Sequence, residues 1–292
     1  MLTLKLSRLL FRTLKKIKKY IYCLFSLSVY LCVCVCSCVM LCAFVTPQTP
    51  PFDVVFNRLA ARVTGGDYCH VEVAFESVPL RLLRDLRKNV PESSSVSSEL
   101  QHIGATLNNV LSSFPPDTSD DHVVTLAFHA LNGCPLGCRI LSKHASDPLY
   151  LPYSEDWRVY RLSGAPEVAV HANLVWCMSK VGLPYDTVGA LTSPWRGAEA
   201  HGDTPDPETW FCSNHALRFL QHMNLCSDLS MWGTTPNSLE RALSKYIHPT
   251  SALLQEDHGP GGADDLNLDT VHWDLVASVA PYIVRAELQL LH

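Results

Sequence analysis

The strongest constraint on this 292-residue chain is an apolar run from Tyr20 to Val45 that contains no charged side chain. A helix needs roughly 20 apolar residues to cross a bilayer, whereas the apolar part of a signal peptide has only about 7–15. Basic residues beside a span favour the cytoplasmic side, and four directly precede this one: Lys15, Lys16, Lys18 and Lys19. The sequence therefore predicts a basic segment at 1–19 and a single-pass signal-anchor (a transmembrane helix) at 20–45, with the following domain on the non-cytoplasmic side.

Two other interpretations of the apolar run stay open. A cleaved signal peptide would also follow a basic segment, and a buried core helix would also be apolar. Half of the chain's 12 cysteines fall within the run, at Cys23, Cys32, Cys34, Cys36, Cys38 and Cys42. Their spacing puts them on different sides of a helix, so they predict no metal site. The other six cysteines are too scattered to indicate a disulfide framework.

The rest of the chain has the size of one globular domain. The formal net charge of −5, with no basic cluster beyond the N-terminus, argues against nucleic acid as a partner. A proline-rich linker is predicted at 46–51 and the domain at 52–248. An insertion at 76–121 contains a serine-rich stretch, and a C-terminal extension at 249–292 begins with a stretch rich in glycine and aspartate.

Hydrophobic periodicity and turn residues predict the elements of this domain. A short β-branched run predicts a strand at 53–57, and clean alternation predicts a strand at 68–75 whose residues His70, Glu72 and Ala74 share one face. Three more strands are predicted at 122–128, 138–141 and 157–162. Helices are predicted at 80–88, more weakly later in the insertion, at 166–181, at 210–223, and from Pro236 onward with Thr235 as N-cap.

Cys212 lies in the segment TWFCSNHALRFL, where a predicted helix begins. The free N–H groups and the positive dipole end of a helix N-terminus stabilise a thiolate, which is the attacking form of a catalytic cysteine. Free cysteine is also among the residue types most often buried, so a structural role is the alternative.

His70 lies in the predicted strand YCHVEVAF and could accept the proton of a thiol. A core or surface histidine without a catalytic role is the alternative. Glu72 points to the same strand face and could orient the imidazole, or it could simply face solvent.

Four segments together resemble the circularly permuted branch of the NlpC/P60 papain-like superfamily, whose relatives include lecithin:retinol acyltransferase-like proteins. Members of this branch, found in bacteria and large DNA viruses, place the histidine strand before the cysteine helix. The resemblance covers roughly Phe52–Tyr246 without the insertion. It rests on TGGDYCHVEVAF (Thr64–Phe75), GLPYDTVGAL (Gly182–Leu191), TWFCSNHALRFL (Thr209–Leu220) and TTPNSL (Thr234–Leu239).

The resemblance implies Cys212 as nucleophile and His70 as base. It implies an α+β, permuted papain-like fold in which a small antiparallel sheet packs on helices. The expected reaction is acyl transfer from an amide or ester of a peptide or lipid, as a cysteine peptidase, amidase or acyltransferase without a cofactor. Tyr185 would line the substrate cleft, or serve only as a structural tyrosine after a helix.

The third polar residue of the site stays open, because the insertion interrupts the region in which the family carries it. Glu72, His129 and His144 compete for this role. Two positions depart from the family pattern: Cys69 stands where small residues such as serine are common, and Asn214 where an acidic residue often follows.

Cys134 and Cys138, near His129 and His144, have a spacing found in zinc sites, but no second pair completes the pattern, so no metal is expected. The alternative to an enzyme is a catalytically silent, membrane-anchored viral or host-interaction protein that retains only the fold.

Overall fold

The computed structural model describes residues 38–91, 97–163, 165–195, 206–246 and 285–289. Its centre is an antiparallel sheet in which five strands follow the spatial order β4-β3-β2-β1-β5. A short sixth strand, β6 (Arg285–Gln289), pairs with β5 at the edge. The five strands are β1 (Val39–Val45), β2 (His70–Pro79), β3 (Val123–His129), β4 (Gly137–Leu141) and β5 (Trp157–Ser163).

Helices pack on one face of this sheet. Val73 and Phe75 of β2 point into the main core, where the Phe75 ring meets that of Phe219 with centroids 5.7 Å apart. The predicted α+β architecture, an antiparallel sheet packed on helices, is confirmed. The helices are α1 (Val55–Val63), α2 (Leu80–Asn89), α3 (Ser98–Ser112), α4 (Glu167–Lys180), α5 (Thr187–Thr192), α6 (Cys212–Gln221) and α7 (Pro236–Leu243).

Strand β1 lies where we predicted the last seven residues of a transmembrane helix. It pairs with β2 on one side and β5 on the other, and residues 40–45 are all buried. A strand covered on both faces is apolar throughout and lacks the alternation of a half-exposed strand. The predicted bound of the anchor at residue 45, and the start of the domain at residue 52, are therefore wrong.

The remainder of the predicted anchor, residues 20–37, lies outside the described residues, as does the basic segment 1–19. Across the described ranges, no helix combines the length and apolarity that a bilayer crossing requires.

The predicted strand at 53–57 is also wrong, since α1 begins at Val55. Strand β1, and not this segment, pairs with β2. The other predicted strands and helices are confirmed to within a few residues. Thr235 caps α7 as predicted: its hydroxyl accepts from the Ser238 N–H and the Ser238 hydroxyl accepts from the Thr235 N–H, at 3.1 and 2.8 Å.

The predicted insertion at 76–121 supplies part of the core. Leu83 of α2 and Leu107 of α3 are fully buried in the main cluster. Helix α3 also packs along α4, where the hydroxyl of Thr106 lies 3.5 Å from the Met178 carbonyl oxygen. Helices α2 and α3 of the insertion thus belong to the helical layer that covers the sheet.

Candidate active site

Cys212 is the first residue of α6, and side chains fix the start of this helix. The Asn214 amide oxygen accepts from the Phe211 N–H at 2.8 Å, which is the return bond that Glu or Gln makes in a capping box. Asn214 therefore stabilises the helix start that carries Cys212. The Ser213 hydroxyl donates to the Thr234 carbonyl at 2.7 Å and ties α6 to the segment that leads into α7.

The backbone just before β2, the strand that carries His70, is held by α7. The Asn237 side chain accepts from the Tyr68 N–H and donates to the Tyr68 carbonyl, each at 2.9 Å. Gly66 lies so close to Asn237 that a Cβ there would collide with the amide. We did not predict a role for Asn237, although the TTPNSL segment that contains it had been singled out by the resemblance.

The structure brings Cys212 and His70 together. Both line one cleft, and the Cys212 sulfur is near enough to the imidazole to raise its pKa. Burial acts to lower the pKa of His70, but the Cys212 sulfur and the Glu72 carboxylate more than offset it and raise that pKa to about 9. Phe52 stacks on the imidazole with centroids 5.1 Å apart, which fixes the plane of the ring.

Glu72 lies behind His70 and is itself held by a cation. Its Oε2 is 3.7 Å from His70 Nε2, an ion-pair distance rather than a hydrogen bond. Its Oε1 accepts from Arg139 Nη2 at 2.5 Å. Glu72 is 1% and Arg139 3% exposed. Burial alone would raise the pKa of Glu72, but Arg139 first and His70 second lower it to about 2, so the carboxylate is ionised.

Arg139 is a site residue that the sequence analysis missed. It lies on β4, two strands away from Glu72, and is paired in register with Ala127 of β3, which in turn is paired with Ala74 of β2. Side chains opposite one another in neighbouring strands share a face. The small alanines therefore leave room for the arginine to reach across β3 to Glu72.

The two histidines that competed for the third position occupy different places. His129 packs against Gly137, where a Cβ would lie 2.6 Å from its Cε1. Burial, followed by repulsion from Arg139, lowers the pKa of His129 to about 4, so it is neutral near pH 7. His144 is exposed in the turn after β4 and does not line the cleft. Glu72 is the candidate that lies against His70.

The cleft in front of Cys212 has a volume of about 390 Å³. Tyr185 lines it and is fixed by a bridge to Trp210, in which the Trp210 N–H donates to Pro184 and the Asp186 N–H to Trp210. Burial, then the nearby Cys212 sulfur, raises the pKa of the Tyr185 hydroxyl, so it stays protonated.

Apart from His70, whose raised pKa keeps the imidazole protonated near pH 7, the described walls of the cleft carry no charged side chain. Among the described residues that line it there is no Asp, Glu, Lys or Arg. Large apolar side chains at its mouth are exposed, with Trp195 at 72%. We call this group the apolar rim: Val54, Leu59, Val63, Leu191 and Trp195.

In the described part of the chain, no group of three or more His, Cys, Asp or Glu side chains could hold a metal ion. Cys134 is exposed and Cys138 half-buried, and both are free thiols.

Comparisons of the chain with family models, with curated proteins and with solved structures gave no match.

Proposed function

We propose that this protein is a thiol hydrolase or acyltransferase that acts on an amide or ester through a Cys212 thioester. One observation carries the proposal: a cysteine at a helix N-terminus lies against an imidazole that is backed by a buried, ionised carboxylate. The order of histidine strand, Tyr185 segment and cysteine helix supports a permuted papain-like arrangement of the fold.

The first step would be attack on the substrate carbonyl. The Cys212 thiolate, paired with the His70 imidazolium, adds to the carbonyl carbon, and negative charge develops on the oxygen. The free N–H groups at the start of α6 and the protonated Tyr185 hydroxyl are the candidate donors to that oxygen. His70 then gives its proton to the leaving amine or alcohol, and the thioester remains on Cys212.

The second step would release the acyl group. His70, now neutral, takes a proton from water or from another acceptor, which attacks the thioester carbonyl and frees the thiolate. Water makes the protein a hydrolase, and a different acceptor makes it an acyltransferase. Outside the Cys212–His70 pair, the described lining of the cleft has no charged side chain, which supports a substrate whose acyl part is uncharged, from a peptide or a lipid. Membrane attachment through residues upstream of β1 stays a prediction.

The test is selective labelling of the full-length protein with an iodoacetamide probe near pH 7. We expect modification at Cys212 well before the exposed thiol of Cys134 and a rate at least tenfold lower in His70→Ala, because the imidazolium that stabilises the thiolate is lost. A protein that labels Cys212 no faster than Cys134, with no effect of His70→Ala, is not a thiol enzyme of this kind.

A second candidate function is favoured by the apolar rim. Exposed contiguous apolar surface marks interaction sites, so a catalytically silent, membrane-anchored viral or host-interaction protein could use the rim to bind a partner. Loss of partner binding in Trp195→Ser, together with unselective cysteine labelling, would support this alternative over the enzyme.

A further inference from the structure

A second thiol lies at the proposed active site and has no role in the acyl-transfer steps. Cys69 directly precedes His70, and it lines the same cleft as Cys212. The two sulfurs are close enough for the negative charge of one to raise the pKa of the other. Both are free thiols in the structure.

The backbones that carry the two cysteines are both held in place. Asn237 binds the backbone of Tyr68, one residue before Cys69, on both its N–H and its carbonyl. Ser213, one residue after Cys212, is tied to Thr234. The distance between the two segments is therefore fixed by the strand β2, helix α6 and helix α7 rather than by a flexible loop.

The Cys69 side chain itself is only weakly held. Its thiol donates to the Val45 carbonyl at 3.5 Å, a weak bond that a rotation about χ1 would break. The side chain is half-buried at the cleft wall. Burial, and then the Cys212 charge, raises the pKa of Cys69 to about 12, so this thiol is protonated near pH 7.

We propose that Cys69 and Cys212 form a reversible disulfide when a hydroperoxide oxidises Cys212, and that Cys69 thereby protects the nucleophile from irreversible oxidation. The inference rests on the proposed nucleophilic character of Cys212. Cysteine sulfenic acid condenses reversibly with a nearby thiol, whereas its further oxidation to the sulfinic acid is irreversible in most proteins.

The chemistry balances with the hydroperoxide as the oxidant. The Cys212 thiolate attacks the terminal oxygen of the peroxide, so that an S–O bond forms and the O–O bond breaks. The alkoxide, or hydroxide from hydrogen peroxide, leaves with a proton from His70. Cys69 then gives its proton to His70, and its sulfur attacks the Cys212 sulfur. The S–O bond breaks, and the oxygen leaves as water with that proton. Two thiols lose two electrons, and the peroxide is reduced to an alcohol and water.

The experiment treats the full-length protein with excess hydrogen peroxide, then with dithiothreitol, and measures how much iodoacetamide labelling of Cys212 returns. Peptide mass spectrometry without reductant identifies the disulfide before recovery. We expect a Cys69–Cys212 linked peptide and near-complete recovery in the wild type. In Cys69→Ser, which preserves size and polarity, recovery should fall roughly tenfold because the sulfenic acid proceeds to the sulfinic acid. Cys134→Ser removes an exposed free thiol as a matched control and should behave like the wild type.

Each outcome separates this inference from the proposed function. If Cys212 labels selectively but no Cys69–Cys212 peptide forms, or if Cys69→Ser recovers as well as the wild type, the disulfide is refuted and the thiol enzyme stands. A disulfide from Cys212 to a different cysteine also refutes it. If Cys212 labels no faster than Cys134 before oxidation, the proposed function fails first. Should Cys69→Ser misfold by circular dichroism, Cys69→Ala and the linked-peptide measurement on the wild type decide.

Discussion

Replacing Arg139 by methionine should destabilise the protein strongly, even though the residue lies on a strand far from the cysteine in sequence. Arg139 neutralises the carboxylate of Glu72 inside the sheet, where both side chains are almost fully buried. Methionine keeps the length and apolar contacts of the arginine stem but removes the charge. The Glu72 carboxylate would then be buried with only His70 as an oppositely charged neighbour.

The magnitude follows from the environment of Glu72. Its pKa falls from 4.5 to about 2 on folding, and at 1.36 kcal/mol per unit this corresponds to about 3 kcal/mol of stability. Removing one member of a buried ion pair typically costs about 3–5 kcal/mol. Because the pKa is depressed, this stabilisation is complete above pH 4.5 and is lost as the pH falls towards 2. The wild type and Arg139→Met should therefore converge in stability below pH 4.5.

Urea unfolding monitored by tryptophan fluorescence measures this difference. Arg158→Met is the matched control, because the Arg158–Glu240 pair, 2.9 Å apart, involves a partly exposed arginine and should contribute only about 0–1 kcal/mol. Adding Glu72→Gln to Arg139→Met should restore part of the lost stability, since no unpaired charge is then buried. Arg139 does not stabilise a buried Glu72 carboxylate if Arg139→Met costs no more than Arg158→Met, or if adding Glu72→Gln makes Arg139→Met less stable.

Three other outcomes are expected. Glu72→Gln should slow alkylation of Cys212 near pH 7 roughly tenfold, because a carboxylate no longer stabilises the imidazolium. His129→Ala should change the rate little, and equal effects of the two substitutions would count against Glu72 as the third polar residue. The raised pKa of His70, about 9 against the usual 6.5, adds stability that is complete below pH 6.5 and lost as the pH rises through 9. Urea titrations would contradict this if the free energy of unfolding of His70→Gln fell with pH as much as that of the wild type. Gly66→Ala should cost about 1–3 kcal/mol in thermal unfolding, because the new methyl group meets the α7 asparagine; an unchanged melting temperature would disprove that contact.

The sequence was most informative where the signal is local. The alternation at 68–75 predicted strand β2 and placed His70 and Glu72 on one face. It could do so because successive side chains of a strand point to opposite faces, so residues two apart share a face. The start of α6 at Cys212 was likewise evident from the residues around it. Each of these features depends on neighbours within a few residues along the chain.

The missed features depend on contacts between distant segments. Strand β1 is buried on both faces, so its apolar sequence has no period that distinguishes a strand from a helix. The link from Arg139 to Glu72 depends on the register of three strands and on the small side chain of Ala127 between them. Asn237 acts on Tyr68, which is 169 residues earlier in the chain. None of these relations has a signature in the local sequence.

The interior position of β1 determines where this chain can be cut without loss of the sheet. Strand β1 is hydrogen-bonded to β2 on one side and to β5 on the other. It begins opposite Glu76 and ends opposite His70, so the cleft lies at the far end of the strand, about 20 Å from the point where the chain enters it. Anything attached to the chain before Val39 would therefore be joined to the end of the sheet that is remote from the cleft. A protease that separates such an attachment from an intact domain must cut before Val39, because a cut after Val45 would remove an interior strand of the sheet.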